Sequence, residues 1–344
     1  MRSLRVLALL AITIVALPAC SRTPGSDKPK VAFISNNPFE FWTFARRGTE
    51  KAASDFNVDV EFYMPPLGKA EEQRQAVEDF LAKGIQGIAI SPNDAANQAA
   101  FFDKIADRVP LITQDSDFPP GSKRLCYLGT NNYDAGRAAG KLVKEAAPEG
   151  GKIVIYVGKL DVQNAIERRR GVLDELADQK DANKEQLDKG QYPIQFGKYT
   201  LLDTMTDDAK QEKCQANVEA TLAKNGDVRC LIGLWAYNPP AMLKALQQAV
   251  AVGKVKKGQV ALVGFDENEE TLAGISSGDV YGTIVQNPYK FGYEAVRILS
   301  SLVRGDRSVL PKDGILYIPH RVIKKDNVAD FQDEIKKLKG QPSS

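Results

Sequence analysis

The feature that most constrains this fold is a regular alternation of short apolar runs and longer amphipathic stretches from residue 30 onward. Continuous apolar runs are typical of strands that a parallel sheet buries on both faces, and apolar residues at helical spacing are typical of the helices that cover such a sheet. In the first half of the chain, the predicted strands are 31–35, 58–63, 85–90 and 111–114, and the predicted helices are 39–56, 70–81 and 95–105.

A second series of the same units begins after residue 130. It opens with a helix over 134–146 and contains strands over 152–156, 194–199, 230–235, 260–264 and 280–285, with helices over 165–176, 208–223, 239–250 and 269–275. The length of 344 residues suits two domains of roughly 150 residues each. The predicted fold class is therefore α/β, with two doubly wound parallel-sheet lobes.

The N-terminal segment predicts export. Arg2 and Arg5 precede an apolar run over 6–17, which is shorter than the roughly twenty residues that a membrane-spanning helix needs. This pattern is typical of a secretory signal, predicted as residues 1–19. The signal ends in LPAC, which resembles the lipobox of bacterial lipoproteins and predicts lipid attachment at Cys20. We expect a protein anchored by lipid in the periplasm or at the outer face of the cytoplasmic membrane; the alternative is an ordinary signal with an incidental cysteine.

Charge and histidine content exclude several classes of function. The chain has 46 basic and 44 acidic side chains, and loss of Arg2 and Arg5 with the signal leaves 44 of each. A neutral protein has no field that attracts nucleic acid. His320 is the single histidine, so metal centres and hydrolases that need several histidines are nearly excluded, and no metal or cofactor is predicted.

Three further cysteines are predicted to be buried thiols. Cys126 and Cys230 lie in strand-like runs and Cys214 lies in a helix-like run, with no spacing typical of a metal site. A disulfide between Cys214 and Cys230 is disfavoured, because Cys214 precedes the end of its helix by about 13 Å at 1.5 Å per residue.

Polar and aromatic side chains are concentrated just after the predicted strands. In open α/β sheets, ligands bind beyond the carboxyl ends of the strands. These positions hold amides, carboxylates, an arginine and aromatic rings, with no nucleophile–base pair. Such a set is typical of a pocket with a few placed polar groups between aromatic walls, which suits vicinal hydroxyls and sugar rings. The positions are 36–42, 115–117, 168–170, 235–238, 266–268 and 286.

One motif suggests an enzyme. The run GISSG at 274–278 fits the G-x-S-x-G pattern around a nucleophilic Ser276. That pattern requires a strand before the serine and a helix after it, whereas here a predicted helix precedes and a predicted strand follows. We interpret the run as a helix end with Gly278 at the turn, and we expect no enzymatic activity.

Seven short segments carry a specific resemblance. They are VAFISNNPFEFW (31–42), GIAISPND (87–94), PLITQD (110–115), NYDAGRAAG (132–140), AIERRRG (165–171), VGFD (263–266) and TIVQNP (283–288). In these segments, and over about residues 30–334, the chain resembles the ribose-binding-protein-like branch of periplasmic binding proteins. The resemblance implies a monomer that binds a monosaccharide (a pentose, hexose or related polyol) and delivers it to an ABC-transporter permease. The alternative is a receptor that presents a small molecule to a membrane sensor kinase.

The resemblance also implies roles for single residues. Asn37 matches an asparagine that bonds sugar hydroxyls, and Asp115 matches a carboxylate near the anomeric end. Phe41 and Trp42 match an aromatic pair, with Phe39 as the rival for one of the two places. In the second lobe, Arg168 matches an arginine of the family, Asp266 matches the acid after VGF, and Gln286 matches a hinge glutamine.

Three departures from the family pattern affect the predicted specificity. Ser116 stands where ribose binders carry a second arginine. Trp235 stands where the family usually has an asparagine, and Asn238 is the alternative for that role. The wall aromatic of the second lobe is missing near Ala209, and Trp235 is the expected replacement.

Structural roles are the alternatives for the same residues. Asn37 also suits a helix N-cap, and Phe41 and Trp42 suit the core side of their helix. Asp115 and Asp266 suit turns. A solvated helix face is the alternative for Arg168 and is expected for its two arginine neighbours.

The two lobes are expected to interleave along the chain. The predicted N-terminal lobe is 30–130 plus 287–313 and the C-terminal lobe is 131–286 plus 314–338, with a tether at 20–29 and a tail at 339–344. Crossings near 129–131, 286–287 and 313–316 would form a three-segment hinge.

Overall fold

A computed structural model describes residues 28–340. These residues form two β-sheets, and the first has six strands. These are β1 (Lys30–Ile34), β2 (Asp59–Tyr63), β3 (Gly87–Ile90), β4 (Leu111–Gln114), β5 (Tyr127–Gly129) and β12 (Ile315–Tyr317). Their order is β12-β5-β4-β3-β1-β2, and every neighbouring pair is parallel.

The second sheet has seven strands. They are β6 (Gly151–Val157), β7 (Ile194–Phe196), β8 (Tyr199–Thr206), β9 (Val228–Gly233), β10 (Ala261–Phe265), β11 (Gly282–Val285) and β13 (Arg321–Lys324). The order is β13-β11-β10-β9-β6-β8-β7, in which only the two edge strands β13 and β7 run antiparallel to their neighbours among the described residues.

Helices cover both faces of each sheet. They are α1 (Phe41–Phe56), α2 (Ala70–Ala82), α3 (Ala95–Ala106), α4 (Asn132–Ala146), α5 (Gln163–Ala177), α6 (Lys184–Asp188), α7 (Gln211–Lys224), α8 (Asn238–Ala251), α9 (Glu269–Ser277), α10 (Pro288–Val303) and α11 (Val328–Gly340). Two doubly wound α/β lobes result, and the predicted fold class is confirmed. No helix in residues 28–340 is both long enough and apolar enough to cross a membrane.

Continuous apolar strands explain the layered core. Four consecutive residues of β1 and all four residues of β3 and β4 are buried, because helices pack against both faces of the sheet. In the first lobe, Phe33 points into the cluster under α1 and α10, whereas Ile34 points into the cluster under α2 and α3. Burying each such side chain stabilises the fold by about 1.5–3 kcal/mol.

Each lobe contains one pair of helices that approach closely through glycine. A Cβ atom on Gly48 of α1 would lie 1.9 Å from the carbonyl oxygen of Tyr289 in α10. In the second lobe, a Cβ atom on Gly136 of α4 would lie 2.3 Å from the carbonyl oxygen of Arg168 in α5. The backbone of Arg168 is therefore fixed by a helix contact that only glycine permits.

The structure corrects two predictions at the lobe edges. The predicted single strand 194–199 is a hairpin, in which Gly197 adopts a φ of 56° and the parallel strand is β8. The third crossing was placed at 313–316, but β12 pairs with β5 in the first sheet. The chain therefore passes to the second sheet between β12 and β13, after the crossings at 130–131 and 286–287.

Several further predictions concern single segments. Cys126, Cys214 and Cys230 are free and buried, as predicted. The predicted tail overlaps α11, which extends to Gly340. The predicted signal, the lipid attachment at Cys20 and most of the tether lie outside residues 28–340.

Candidate functional site

Two aspartates occupy matching positions in the two lobes. Asp115 follows β4 and Asp266 follows β10, and both adopt left-handed backbone with φ of 63° and 65°. The backbone N–H of Asp115 donates to the carbonyl of Leu128 at 3.1 Å, and that of Asp266 donates to Ile284 at 2.7 Å. Left-handed backbone costs a residue other than glycine about 1–3 kcal/mol, and such strain is concentrated at functional sites.

Asp115 is buried among neutral donors. Its Oδ2 accepts hydrogen bonds from Ser91 at 3.3 Å, from Ser116 at 3.4 Å and from Asn36 at 3.5 Å. Burial raises the pKa of Asp115 to about 6, and the positive charge of Arg168 opposes this rise. The long hydrogen bonds leave the carboxylate able to accept from hydroxyl groups that approach the end of β4.

The first loop places Asn36, rather than Asn37, beside this carboxylate. Asn36 donates to Ser91 at 3.1 Å, and its Oδ1 accepts from the Trp42 indole N–H at 3.0 Å. The Asn37 side chain instead stabilises its own loop, because its Oδ1 accepts from the backbone N–H of Phe39 at 2.9 Å. Two adjacent asparagines look equivalent in the sequence, so the choice between them required the geometry.

The predicted aromatic trio is divided by burial. Trp42 is 1% exposed and packs edge-on against Phe33 and Phe41, with ring centroids 6.1 and 5.0 Å away. Phe41 is half-buried and also meets Phe291 edge-on. Phe39 is 53% exposed and lies outside this cluster. The core-facing alternative therefore describes Trp42, whose indole N–H holds the Asn36 amide in place.

Arg168 is buried in the second lobe, unlike a solvated helix residue, and the solvated position predicted for Arg169 is wrong, because that side chain is buried as well. Its Nε donates to Asn132 at 2.9 Å and its Nη1 donates to the carbonyl of Leu234 at 2.8 Å. The guanidinium carbon lies 4.6 Å from the ring centroid of Phe265, a distance at which the ring face attracts the cation. These contacts fix the orientation of the guanidinium group at the strand ends.

Asp266 lies within the electrostatic reach of the same arginine. Its Oδ1 accepts from Gln286 at 3.0 Å, and its backbone carbonyl accepts from Thr283 at 3.0 Å. Burial raises the pKa of Asp266, and Arg168 opposes the rise, as it does for Asp115. The carboxylates of the two lobes thus share one cation, and each raises the cost of ionising the other.

The two candidates after β9 have different positions. Asn238 is fully buried, accepts from the backbone N–H of Trp235 at 2.9 Å and donates to Asp207 at 3.0 Å, so both ends of its amide serve the loop. The half-buried Trp235 donates from its indole to Asn164 at 3.3 Å. A Cβ atom on Gly158 would lie 1.9 Å from the Trp235 ring, which therefore packs directly on the backbone of Gly158.

Glu267 is a buried acid that sequence reasoning did not select. It is 8% exposed, and neither carboxylate oxygen has a hydrogen-bond partner in residues 28–340. Burial raises its pKa well above the usual range, and the charge of Asp266 raises it further. The negative charge of Glu40, which belongs to the first lobe, also raises the pKa of Glu267, so Glu267 lies near the junction of the lobes. The run 266–268 lies among the predicted strand-end positions, but an acid before a helix N-cap is normally solvated, so no binding role was assigned to Glu267.

The apparent esterase motif has no catalytic geometry. Ser276 lies inside α9 and donates to the carbonyl of Leu272 at 3.1 Å, one helical turn earlier. Gly278 ends the helix with a φ of 87°, as predicted. The polar residues described above, which come from both lobes, can bind the hydroxyl groups of a ligand that lies between the lobes.

Two α/β lobes joined by three crossings, with a buried acid at a strand end of each, define a bilobal receptor of the type I periplasmic-binding-protein fold. Residues 31–307 match the family described as periplasmic binding protein domain, and the chain belongs to this family. The family membership agrees with the resemblance that the sequence segments carry.

Individual relatives match over nearly their full lengths. The chain is 26% identical to the D-galactose/methyl-galactoside binding periplasmic protein MglB of Haemophilus influenzae, over 96% of this chain and 99% of that protein. It is 23% identical to the ribose import binding protein RbsB of Salmonella typhimurium, over 86% and 92%. A solved ABC transporter solute binding protein from Burkholderia graminis, in complex with D-arabinose, is 26% identical with a TM-score of 0.75, over 88% and 97%. These relatives are named as binding proteins, not as enzymes.

Proposed function

We propose that this protein is an extracytoplasmic receptor that binds a monosaccharide (a pentose, a hexose or a related polyol) between its lobes and delivers it to an ABC-transporter permease. The observation that carries the proposal is the matching position of two buried aspartates, Asp115 and Asp266, one in each lobe. They extend from strand ends of different lobes, and Arg168 acts on both of them.

The chemistry of these groups suits vicinal hydroxyls. Ionised carboxylates accept from two hydroxyl groups, while the guanidinium of Arg168 donates to a ring or hydroxyl oxygen. Each charge-assisted hydrogen bond in a buried site contributes about 1.5–3 kcal/mol. Ser116 and Gln286 already contact the two aspartates, so they are placed to read neighbouring hydroxyls.

Aromatic faces would cover the apolar side of the sugar ring. Phe41 and Trp235 are the half-buried rings of the site, one from each lobe. Trp42 would act from beneath by holding Asn36, and Asn37 by shaping the same loop. Relatives named for galactose and ribose, and a solute binding protein solved in complex with D-arabinose, support a monosaccharide as the ligand.

Binding would be coupled to closure of the lobes. A ligand that contacts both lobes stabilises the closed state by its differential affinity for that state. An ion pair between Lys339 of α11 and Glu40, 2.7 Å apart, joins the lobes at one edge. The closed form would then be recognised by the permease.

Isothermal titration calorimetry with a panel of pentoses, hexoses and polyols tests the proposal. We expect at least one sugar to bind, and Asp266→Ala to weaken it by about tenfold or more. Asp227→Ala is the matched control, because Asp227 is exposed at the opposite end of the same sheet and should leave the affinity unchanged. Full affinity in Asp266→Ala would refute the assigned site.

Transport and sensing make different predictions for the membrane partner. A transport receptor loaded with sugar should stimulate the ATPase of its permease complex in proteoliposomes. Stimulation of a sensor kinase, with no effect on such a transporter, would favour the sensing alternative.

A further inference from the structure

Buried acids outnumber buried cations around the junction of the lobes. Asp115, Asp266 and Glu267 are each at least nine-tenths buried. Arg168 is the buried cation that acts on both aspartates. Ser116, the residue next to Asp115, adds a neutral hydroxyl and no charge. One guanidinium therefore serves the two aspartates, whereas the cation that acts on Glu267 is Arg321.

Arg321, the cation that acts on Glu267, and Lys339, the partner of Glu40, are already paired. Arg321 acts on Glu267 but donates to both oxygens of Glu334, at 2.9 and 3.2 Å, and lies over the ring of Phe331 at 4.7 Å. Lys339 is paired with Glu40. Neither cation donates a hydrogen bond to Glu267, whose two oxygens lack partners among the described residues.

A metal ion does not explain the acids. No group of three His, Cys, Asp or Glu side chains within residues 28–340 is close enough to hold one. The acids are spread along the strand ends of both lobes, which matches an extended organic ligand. An unpaired buried acid costs stability, so a role in binding is the physical reason to retain it.

We infer that the ligand is a sugar with one positively charged amino group, and that Glu267 selects for that group. The inference rests on the proposed function as a sugar receptor. The aspartates and Arg168 would bind the hydroxyls, as above. Glu267, adjacent to Asp266 in the chain, would accept hydrogen bonds from the ammonium group. A neutral parent sugar would leave Glu267 without a partner.

Proton release provides a signature of this pairing. Burial and the neighbouring acids raise the pKa of Glu267, so the protonated form is favoured more than in an exposed glutamate. An ammonium group stabilises the ionised form, and the proton leaves to the buffer on binding. A neutral sugar offers no charge that would expel it.

The test compares amino sugars with their neutral and N-acetylated counterparts. Glucosamine, galactosamine and mannosamine are titrated calorimetrically at pH 7, beside glucose, galactose, mannose and the N-acetyl derivatives. Paired titrations in phosphate and Tris give the number of protons released from the difference in buffer ionisation heat. We expect one amino sugar to bind about tenfold or more tightly than its parent, with a net release of protons that the parent sugar does not cause. N-acetylation should abolish the preference.

Variants of Glu267 separate this inference from the proposed function. Glu267→Gln keeps the shape and should remove both the amine preference and the proton release, whereas Glu267→Asp should retain part of each. Glu270→Gln is the matched control, because Glu270 is exposed in the first turn of α9. Circular dichroism of each variant checks folding. Equal affinity for amine and parent, or an amine preference that persists in Glu267→Gln, would overturn the inference and leave the sugar receptor intact. Absence of binding by every sugar would overturn the proposed function itself.

Discussion

Acidification is expected to weaken sugar binding through Asp115. Its pKa of about 6 means that the carboxyl group is almost fully ionised at pH 7.5 and about nine-tenths protonated at pH 5. A protonated carboxyl accepts poorly from sugar hydroxyls, so ligand binding selects the ionised form. If only that form binds, the affinity falls about tenfold between pH 7.5 and pH 5.

The stability of the protein without sugar should change in the opposite direction. The pKa of Asp115 is raised from 3.8 to about 6, so the folded protein holds this proton more tightly than the unfolded chain does. The resulting stabilisation is complete below pH 4 and is lost as the pH rises to 6 and beyond. A difference of this size corresponds to about 3 kcal/mol as an upper limit. Asp266 has a raised pKa from the same cause and acts with the same sign.

Two measurements check this reasoning. Calorimetric titration of the tightest sugar from pH 5 to pH 8 should give the tenfold change, and Asp115→Asn should bind weakly with a flatter pH profile. Thermal unfolding without sugar should show that Asp115→Asn gains stability relative to the parent protein as the pH rises from 4 to 7. An affinity constant within twofold over the whole range, or the same slope in Asp115→Asn, would refute the role of this carboxylate.

Three further outcomes are expected. Gly158→Ala would force the Trp235 ring off the backbone it covers. We expect a shift in tryptophan emission and about tenfold weaker sugar binding in the same titrations. Unchanged sugar affinity would show that the ring is remote from the ligand. Gly136→Ala would separate α4 from α5, so thermal unfolding should show a loss of about 1–3 kcal/mol, with weaker binding because Arg168 moves. Cys20→Ser should abolish incorporation of labelled palmitate and release the protein from membranes; continued labelling would contradict the predicted lipid attachment.

The sequence predicted the elements whose chemistry is uniform along the chain. The predicted strand 111–114 coincides with β4, because all four of its residues are buried, as the pattern of a central parallel strand predicts. The prediction of a single strand over 194–199 was wrong. The parallel strand of this region is β8, which mixes buried and half-buried positions and contains Asp203, Thr204 and Thr206, so it has no continuous apolar run to indicate it. The last crossing was misplaced because β12 has only three residues, none of them buried. Short or mixed strands are defined by their neighbours in the sheet, which a single sequence does not show.

Site positions were easier to predict than side-chain roles. The rule that ligands lie beyond strand ends led to Asp115, Asp266 and Arg168 as candidates, and the structure places the two aspartates directly after β4 and β10, because these positions follow from topology. The family resemblance selected Asn37, whereas Asn36 turns towards Asp115, because the choice between them depends on the path of one loop. The burial of Glu267 depends on contacts between distant segments.

In the proposed receptor, the electrostatics of the site would couple closure of the lobes to ligand occupancy. Approach of the lobes removes water from Asp115 and Asp266, and the shared Arg168 compensates both only in part, because burial still raises both pKa values. Hydroxyl donors between the lobes restore hydrogen bonds to the ionised groups, and a cationic ligand would also neutralise the charge near Glu267. Closure without such a ligand would therefore favour proton uptake, whereas closure around it would not. A partner that recognises only the closed, deprotonated form would distinguish loaded receptors from empty ones most sharply above pH 6, where proton uptake becomes costly.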